Sequence, residues 1–263
     1  MKKAIIIAAI VVAVSVTCTL LVLRGCPGGL VGSGNLETEV YAFADFTEVE
    51  ISSAFEFEIQ QSSSYSMNVT ADDNIMEYVQ VSQDGQTLKI GLRTGTWLGP
   101  VTLRASVTMP QLSDLTVSGA SHGTVSDFSS TEDLNITVSG ASRGTIYDLS
   151  STEDVNIKVS GASRITGDIT AGNIEFAISG ASTIQLEGSA NDMVASVSGA
   201  SRFNLNDFTV NNADVNFSGA SSGTVNLNGR LDADLSGASK LWYIGEPTMG
   251  TIDITGASTL SKK

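Results

Sequence analysis

The tetrapeptide Ser-Gly-Ala-Ser begins at Ser118, Ser139, Ser160, Ser179, Ser198, Ser218 and Ser236, and Thr-Gly-Ala-Ser begins at Thr255. The intervals are 21, 21, 19, 19, 20, 18 and 19 residues. A fixed period of this size is the mark of a repeat architecture and limits the fold more than any local propensity does. Before each copy, apolar and polar residues alternate, as in Leu134-Asn135-Ile136-Thr137-Val138 and Ile174-Glu175-Phe176-Ala177-Ile178. That period of two predicts a half-buried strand. A second apolar pattern follows each copy (Val125, Ile146, Ile165, Ile184 with Leu186, Phe203 with Leu205), and turn formers such as Asp127 to Ser130 close the unit. Each repeat therefore reads as strand, small-residue corner, strand, polar turn. About 20 residues cannot bury an apolar face alone, but stacked copies can.

Two topologies satisfy this pattern, an antiparallel meander of hairpins and a solenoid whose coils pair through parallel strands. The invariance of the corner favours the solenoid, because equivalent positions then lie over one another about 4.8 Å apart and each side chain touches its own copies. In such a column Gly permits the bend, Ala is expected to fill a narrow interior, and Ser to hydrogen-bond along the axis. The expectation is an all-β parallel β-helix of about seven coils over residues 116–263. Residues 36–115 carry strand-like runs, including Val49-Glu50-Ile51 and Phe55-Glu56-Phe57-Glu58-Ile59, but no tetrapeptide. They are expected to form an irregular β cap and first coils, with a hairpin turn at Asp84-Gly85.

The N-terminus reads as an address. Lys2 and Lys3 precede an apolar run from Ala4 to Leu23, closed by Arg24. Twenty helical residues cover about 30 Å, the thickness of a bilayer core. Residues 1–24 are expected to be a signal anchor, one transmembrane helix, with the rest of the chain extracytoplasmic. Cys26 after Gly25 admits lipidation as an alternative, and ordinary cleavage is a third. Residues 25–35, rich in Gly, read as a flexible tether.

Charge narrows the partners. With 28 acidic against 14 basic residues and a formal charge of −14, the chain is a poor ligand for nucleic acid. Its single histidine is His122, and both cysteines, Cys18 and Cys26, lie near the N-terminus. No disulfide framework and no His- or Cys-based metal centre is expected in the repeat region, and no cofactor.

Further residues carry a resemblance. An exported N-terminus is followed by Phe46-Thr-Glu-Val-Glu-Ile51, then Gly85-Gln-Thr-Leu-Lys-Ile90, then Val107-Thr-Met-Pro-Gln-Leu-Ser-Asp-Leu115 running into the first tetrapeptide. In that order the chain resembles the bacterial family described as "putative auto-transporter adhesin, head GIN domain". The resemblance implies a right-handed β-helical ectodomain on a bacterial envelope and brings no catalytic or ligand residues with it. Because the last repeat runs to Lys263 with no barrel following, a membrane-tethered surface domain is expected rather than autotransport.

The residue after each tetrapeptide forms a column: His122, Arg143, Arg164, Thr183, Arg202, Ser222, Lys240 and Thr259. Carboxylates follow at Asp127, Asp148, Asp168, Glu187 and Asp207. The candidate binding stripe is His122, Arg143, Arg164, Arg202 and Lys240, a cationic row beside an acidic one able to hold an anionic polysaccharide lengthwise. The alternative is a solvated face whose charges pair across the coil. Polysaccharide-cleaving β-helix enzymes need clustered carboxylates on an open face. The densest acidic spots, Asp72-Asp73 and Asp232-Ala-Asp234, sit among turn formers, so no catalytic residue and no metal site is assigned. The expected function is non-enzymatic and adhesin-like, with a polysaccharide or another surface protein as partner and repeated weak contacts summed along a rod. A polysaccharide lyase or hydrolase and a ligand-free envelope spacer are the rival readings.

Overall fold

The computed structural model describes residues 29–263. The expected anchor (1–24), Cys26 and the first part of the glycine-rich stretch lie outside the described residues, among which no helix is long and apolar enough to cross a membrane.

The chain winds into an all-β right-handed solenoid of about seven turns. Each coil contributes one strand to each of two facing sheets. The leading sheet, before the corner, runs through Asp114–Val117, Leu134–Val138, Val155–Val159, Ile174–Ile178, Asp192–Val197, Asn212–Phe217, Arg230–Leu235 and Thr248–Ile254. The trailing sheet, after it, runs through His122–Ser126, Arg143–Ser151, Arg164–Thr170, Thr183–Ser189, Arg202–Val210, Ser222–Leu227, Lys240–Ile244 and Thr259–Lys262. Neighbouring copies pair parallel and in register, for example Leu134 with Val155 and Val155 with Ile174. The meander is excluded.

The corners are themselves hydrogen-bonded. The Ala162 N–H donates to Gly140 O, Ala181 to Gly161 O and Ala200 to Gly180 O, each at 2.8 Å, so the ladder continues around the bend. The corner glycines all take positive φ, from 65° at Gly119 to 76° at Gly180 and Gly237. A Cβ on Gly161 would lie 2.3 Å from Gly140 O. Glycine is required twice over, by the backbone angle and by the neighbouring copy. The expected interior alanine is reversed. Ala120, Ala141, Ala162 and Ala181 are exposed, and the final serine of each copy points inward, fully buried from Ser121 to Ser239. The left-handed glycine turns the next side chain outward, and in the later coils the inward hydroxyl finds a backbone carbonyl within reach, whereas Ser142 Oγ is buried without a partner. Ser182 Oγ donates to Ser179 O at 2.8 Å, Ser221 to Ser218 O at 2.9 Å and Ser239 to Ser236 O at 3.0 Å.

Between the sheets the inward residues stack by kind and compensate by size. Phe176 lies beside Ala195 on the leading sheet, and Phe203 beside Gly223 on the trailing one. Phe203 meets Phe176 edge-on at 4.9 Å between centroids and Phe217 at 6.1 Å. Such pairs add to the gain from burial itself.

The N-terminal segment does not stack in chain order. Glu48–Ile51 and Glu56–Gln61 form a coil directly below the first tetrapeptide coil, with Glu48 opposite Asp114 and Glu56 opposite His122. Its corner, Ser52-Ser53-Ala54, lies under Ser118-Gly119-Ala120, and Ser53 and Ala54 take φ of 68° and 64° without glycine. Thr87–Leu92 and Leu103–Met109 make the next coil outward. Antiparallel strands then close both sheets, Val79–Asp84 on one, Ser66–Asp72 and Leu36–Tyr41 on the other. The expected hairpin is present, with Asp84 opposite Thr87. A short helix, α1 (Asp73–Met76), buries Ile75 and Met76 in the cap. Residues 30–34, expected as part of a flexible tether, are bound to the cap. Leu30 pairs with Leu98, and Gly34 N–H donates to Asp72 Oδ1 at 2.8 Å.

Candidate functional site

The strand period of two decides which side chains reach water. On the trailing sheet Ile165, Ile184 and Phe203 point inward, so Arg164, Thr183 and Arg202 point outward. Strand pairing puts the residues after the corner in one row: His122, Arg143, Arg164, Thr183, Arg202, Ser222, Lys240 and Thr259, each opposite the next. His122, Arg143, Arg164, Arg202 and Lys240 are all exposed. Adjacent cations such as Arg143 and Arg164 cost little here, about 1 kcal/mol or less in water at this spacing.

None of Arg143, Arg164, Arg202 and Lys240 makes an ion pair. The four ion pairs among the described residues are Lys89–Asp84, Arg104–Glu56, Arg230–Asp232 and Lys262–Glu246. The reason is distance along the strand. Asp168, Glu187 and Asp207 form their own register row four or five residues farther on, about 13 Å away and beyond the screening length at physiological salt. Asp127 and Asp148 leave this row. Both take positive φ; Asp127 accepts from Gln60 Nε2 at 2.9 Å, and the Asp148 amide donates to Asp168 Oδ2 at 2.7 Å. Between the cationic and acidic rows lies a neutral one, Thr145, Thr166, Gln185 and Asn204, which continues through Thr224 and Trp242 to Ser261.

At its cap end the cationic row continues through residues the sequence pattern does not reveal. Glu56 stands opposite His122, Arg104 opposite Glu56, and Thr70 opposite Arg104. Arg104 Nε donates to Glu56 Oε2 at 2.9 Å. Together with Glu58, Asn68 and Arg143 these residues line a groove of about 520 Å³ on the outer face of the sheet. The alternation of Phe55 to Ile59 marks that strand, but nothing local says which strand lies next to it.

The acidic spots considered for catalysis are occupied by structure. Asp72 accepts from the Gly34 and Thr102 amides at 2.8 and 2.7 Å, and these bonds hold its carboxyl below the usual carboxylate range. Asp232 forms a two-pronged pair with Arg230 at 2.5 and 2.7 Å and accepts from Thr251 N–H, which lowers its pKa strongly. Among the described residues no three His, Cys, Asp or Glu side chains are grouped to hold a metal ion. Trp97 is exposed on a cap loop, and Tyr243 lies inward over Val225.

A family model described as "Putative auto-transporter adhesin, head GIN domain" matches residues 45–247. Among solved structures, a "putative adhesin" from Parabacteroides merdae is similar over 90% of this chain and 99% of its own, at 19% identity and a TM-score of 0.81. A "putative adhesin" from Parabacteroides distasonis matches 89% of this chain and 100% of its own, at 18% identity and a TM-score of 0.79. A "putative lipid binding protein" from the same species matches 89% and 99%, at 21% identity and a TM-score of 0.71. At these identities the likeness establishes the common fold. No curated protein matches the sequence.

Proposed function

The chain belongs to the auto-transporter adhesin head GIN domain family, and from that premise we propose that it is a non-enzymatic, membrane-tethered surface domain that holds an anionic polysaccharide along its cationic row. The observation that supports this reading is the row itself: Arg143, Arg164, Arg202 and Lys240 are exposed, in register and without carboxylate partners. Long cationic side chains on an unpaired strip attract polyanions even on a molecule of charge −14, because screening confines each charge to its surroundings. Each exposed pair contributes little, about 0.2–1 kcal/mol, so affinity comes from several contacts on one rigid surface. Tethering is inferred from the apolar run Ala4 to Leu23 behind Lys2 and Lys3, with Cys26 as the acceptor if the anchor is a lipid. The lipid-binding name of one neighbour does not suit an interior filled by Phe176, Phe203 and Phe217. Catalysis is not proposed, since Asp72 and Asp232 spend their oxygens on backbone and arginine donors.

A glycan array probed with the full chain tests this reading. Acidic polysaccharides are expected among the ligands, with binding that weakens as salt rises. The triple variant R143S/R164S/R202S is expected to lose it. Unchanged binding by that variant would sink the proposal.

A further inference from the structure

Resting on the proposal that the cationic row binds an anionic polysaccharide, we infer that this row is built for a linear polymer in which acidic and neutral sugars alternate. From Arg164 onward the row reads Arg164, Thr183, Arg202, Ser222, Lys240, Thr259, a cation and a hydroxyl on successive rungs. Rungs are about 4.8 Å apart, so the cations recur about every 9.6 Å. One sugar of an extended β-linked chain advances by close to one rung. A polymer with an acid on every second sugar therefore sets each carboxylate against Arg164, Arg202 or Lys240. Its neutral sugars then offer their hydroxyls to Thr183, Ser222 and Thr259. A polymer charged on every sugar would leave alternate carboxylates facing uncharged hydroxyls.

The rest of the strip suits the same ligand. Thr166, Gln185 and Asn204 supply donors and acceptors for ring hydroxyls beside the cations. Trp242, two residues from Lys240 on the same strand and on the same outer face, offers a ring on which a sugar can stack. Asp168, Glu187 and Asp207 repel a polyanion from the far side of the sheet and keep it against the corner.

The test compares hyaluronan oligosaccharides, which alternate glucuronate with a neutral amino sugar, with oligomannuronates of equal length, β-linked and charged on every sugar, by surface plasmon resonance on the full chain. The wild type is expected to bind the hyaluronan oligosaccharides about tenfold more tightly, the gain from a few matched exposed charges. T183R/S222R, which fills the neutral rungs with cations, is expected to reverse that order. R164S/R202S/K240S is expected to lose both ligands, with an unchanged circular dichroism spectrum showing that it folds. If the wild type binds oligomannuronates as tightly, or T183R/S222R leaves the ratio unaltered, the alternation inference falls while the cationic row stands. If the folded wild type binds neither, the broader proposal falls as well.

Discussion

Gly161 sits at φ 75° with the carbonyl of Gly140 directly beneath it, and Ala162, the next residue, is exposed. Two adjacent small residues therefore differ sharply in tolerance. G161A is expected to destabilise the fold by about 1–3 kcal/mol, from backbone strain and a contact that the neighbouring coil cannot relieve. A162S is expected to change stability by about 0.5 kcal/mol or less. Urea unfolding of the two variants checks this, and equal midpoints would contradict the assignment. Asp72 adds a pH dependence. Its carboxyl is held below the ordinary value of 3.8 by the Thr102 and Gly34 amides. Its contribution to stability is therefore complete above that value and is lost as pH falls through the folded-state value. Asp232, lowered by Arg230, has the same sign. Asp114 opposes both, since burial first and then Glu48 raise its pKa, so acidification relieves it. D72N is expected to lower the urea midpoint at pH 7 and to flatten the fall in stability below pH 4. A pH profile parallel to the wild type would refute the role. The tetrapeptide shows that Gly and Ser are needed, but composition alone does not reveal which small residue faces the core. That follows from the left-handed glycine, a property of the backbone.

At the scale of elements, the repeat strands are legible because their alternation is clean and their spacing regular. The N-terminal coils are not, because stacking order is a long-range property. The coil of residues 46–61 lies beside the first tetrapeptide coil, although some 50 residues separate them in the chain. The same limit hides Arg104 and Glu56 from any reading of the cationic row. Where copies stack in chain order, stability is a sum of coils and their interfaces. Removing residues 160–178 joins Val159 to the Ser179 corner and deletes one whole turn. That deletion is expected to fold, with a lower melting temperature and unchanged strand signature by circular dichroism. Removing residues 160–169 takes half a turn, places every later strand on the wrong sheet, and is expected not to fold. Similar melting of the two deletions would show that the coil is not the unit of stability.

For the whole molecule, the hydrogen bonds that join coils run along the axis, while the strands run across it. A load drawn between cap and last coil therefore opens bonds one rung at a time rather than shearing a whole sheet together. Single-molecule stretching between the two ends is expected to give a train of low, evenly spaced rupture events. Each would release the contour of one coil of about 20 residues, roughly 70 Å. One large cooperative event would contradict it. A domain of this build yields under tension by paying out length, so a load carried through it would be let down in small steps instead of released at once.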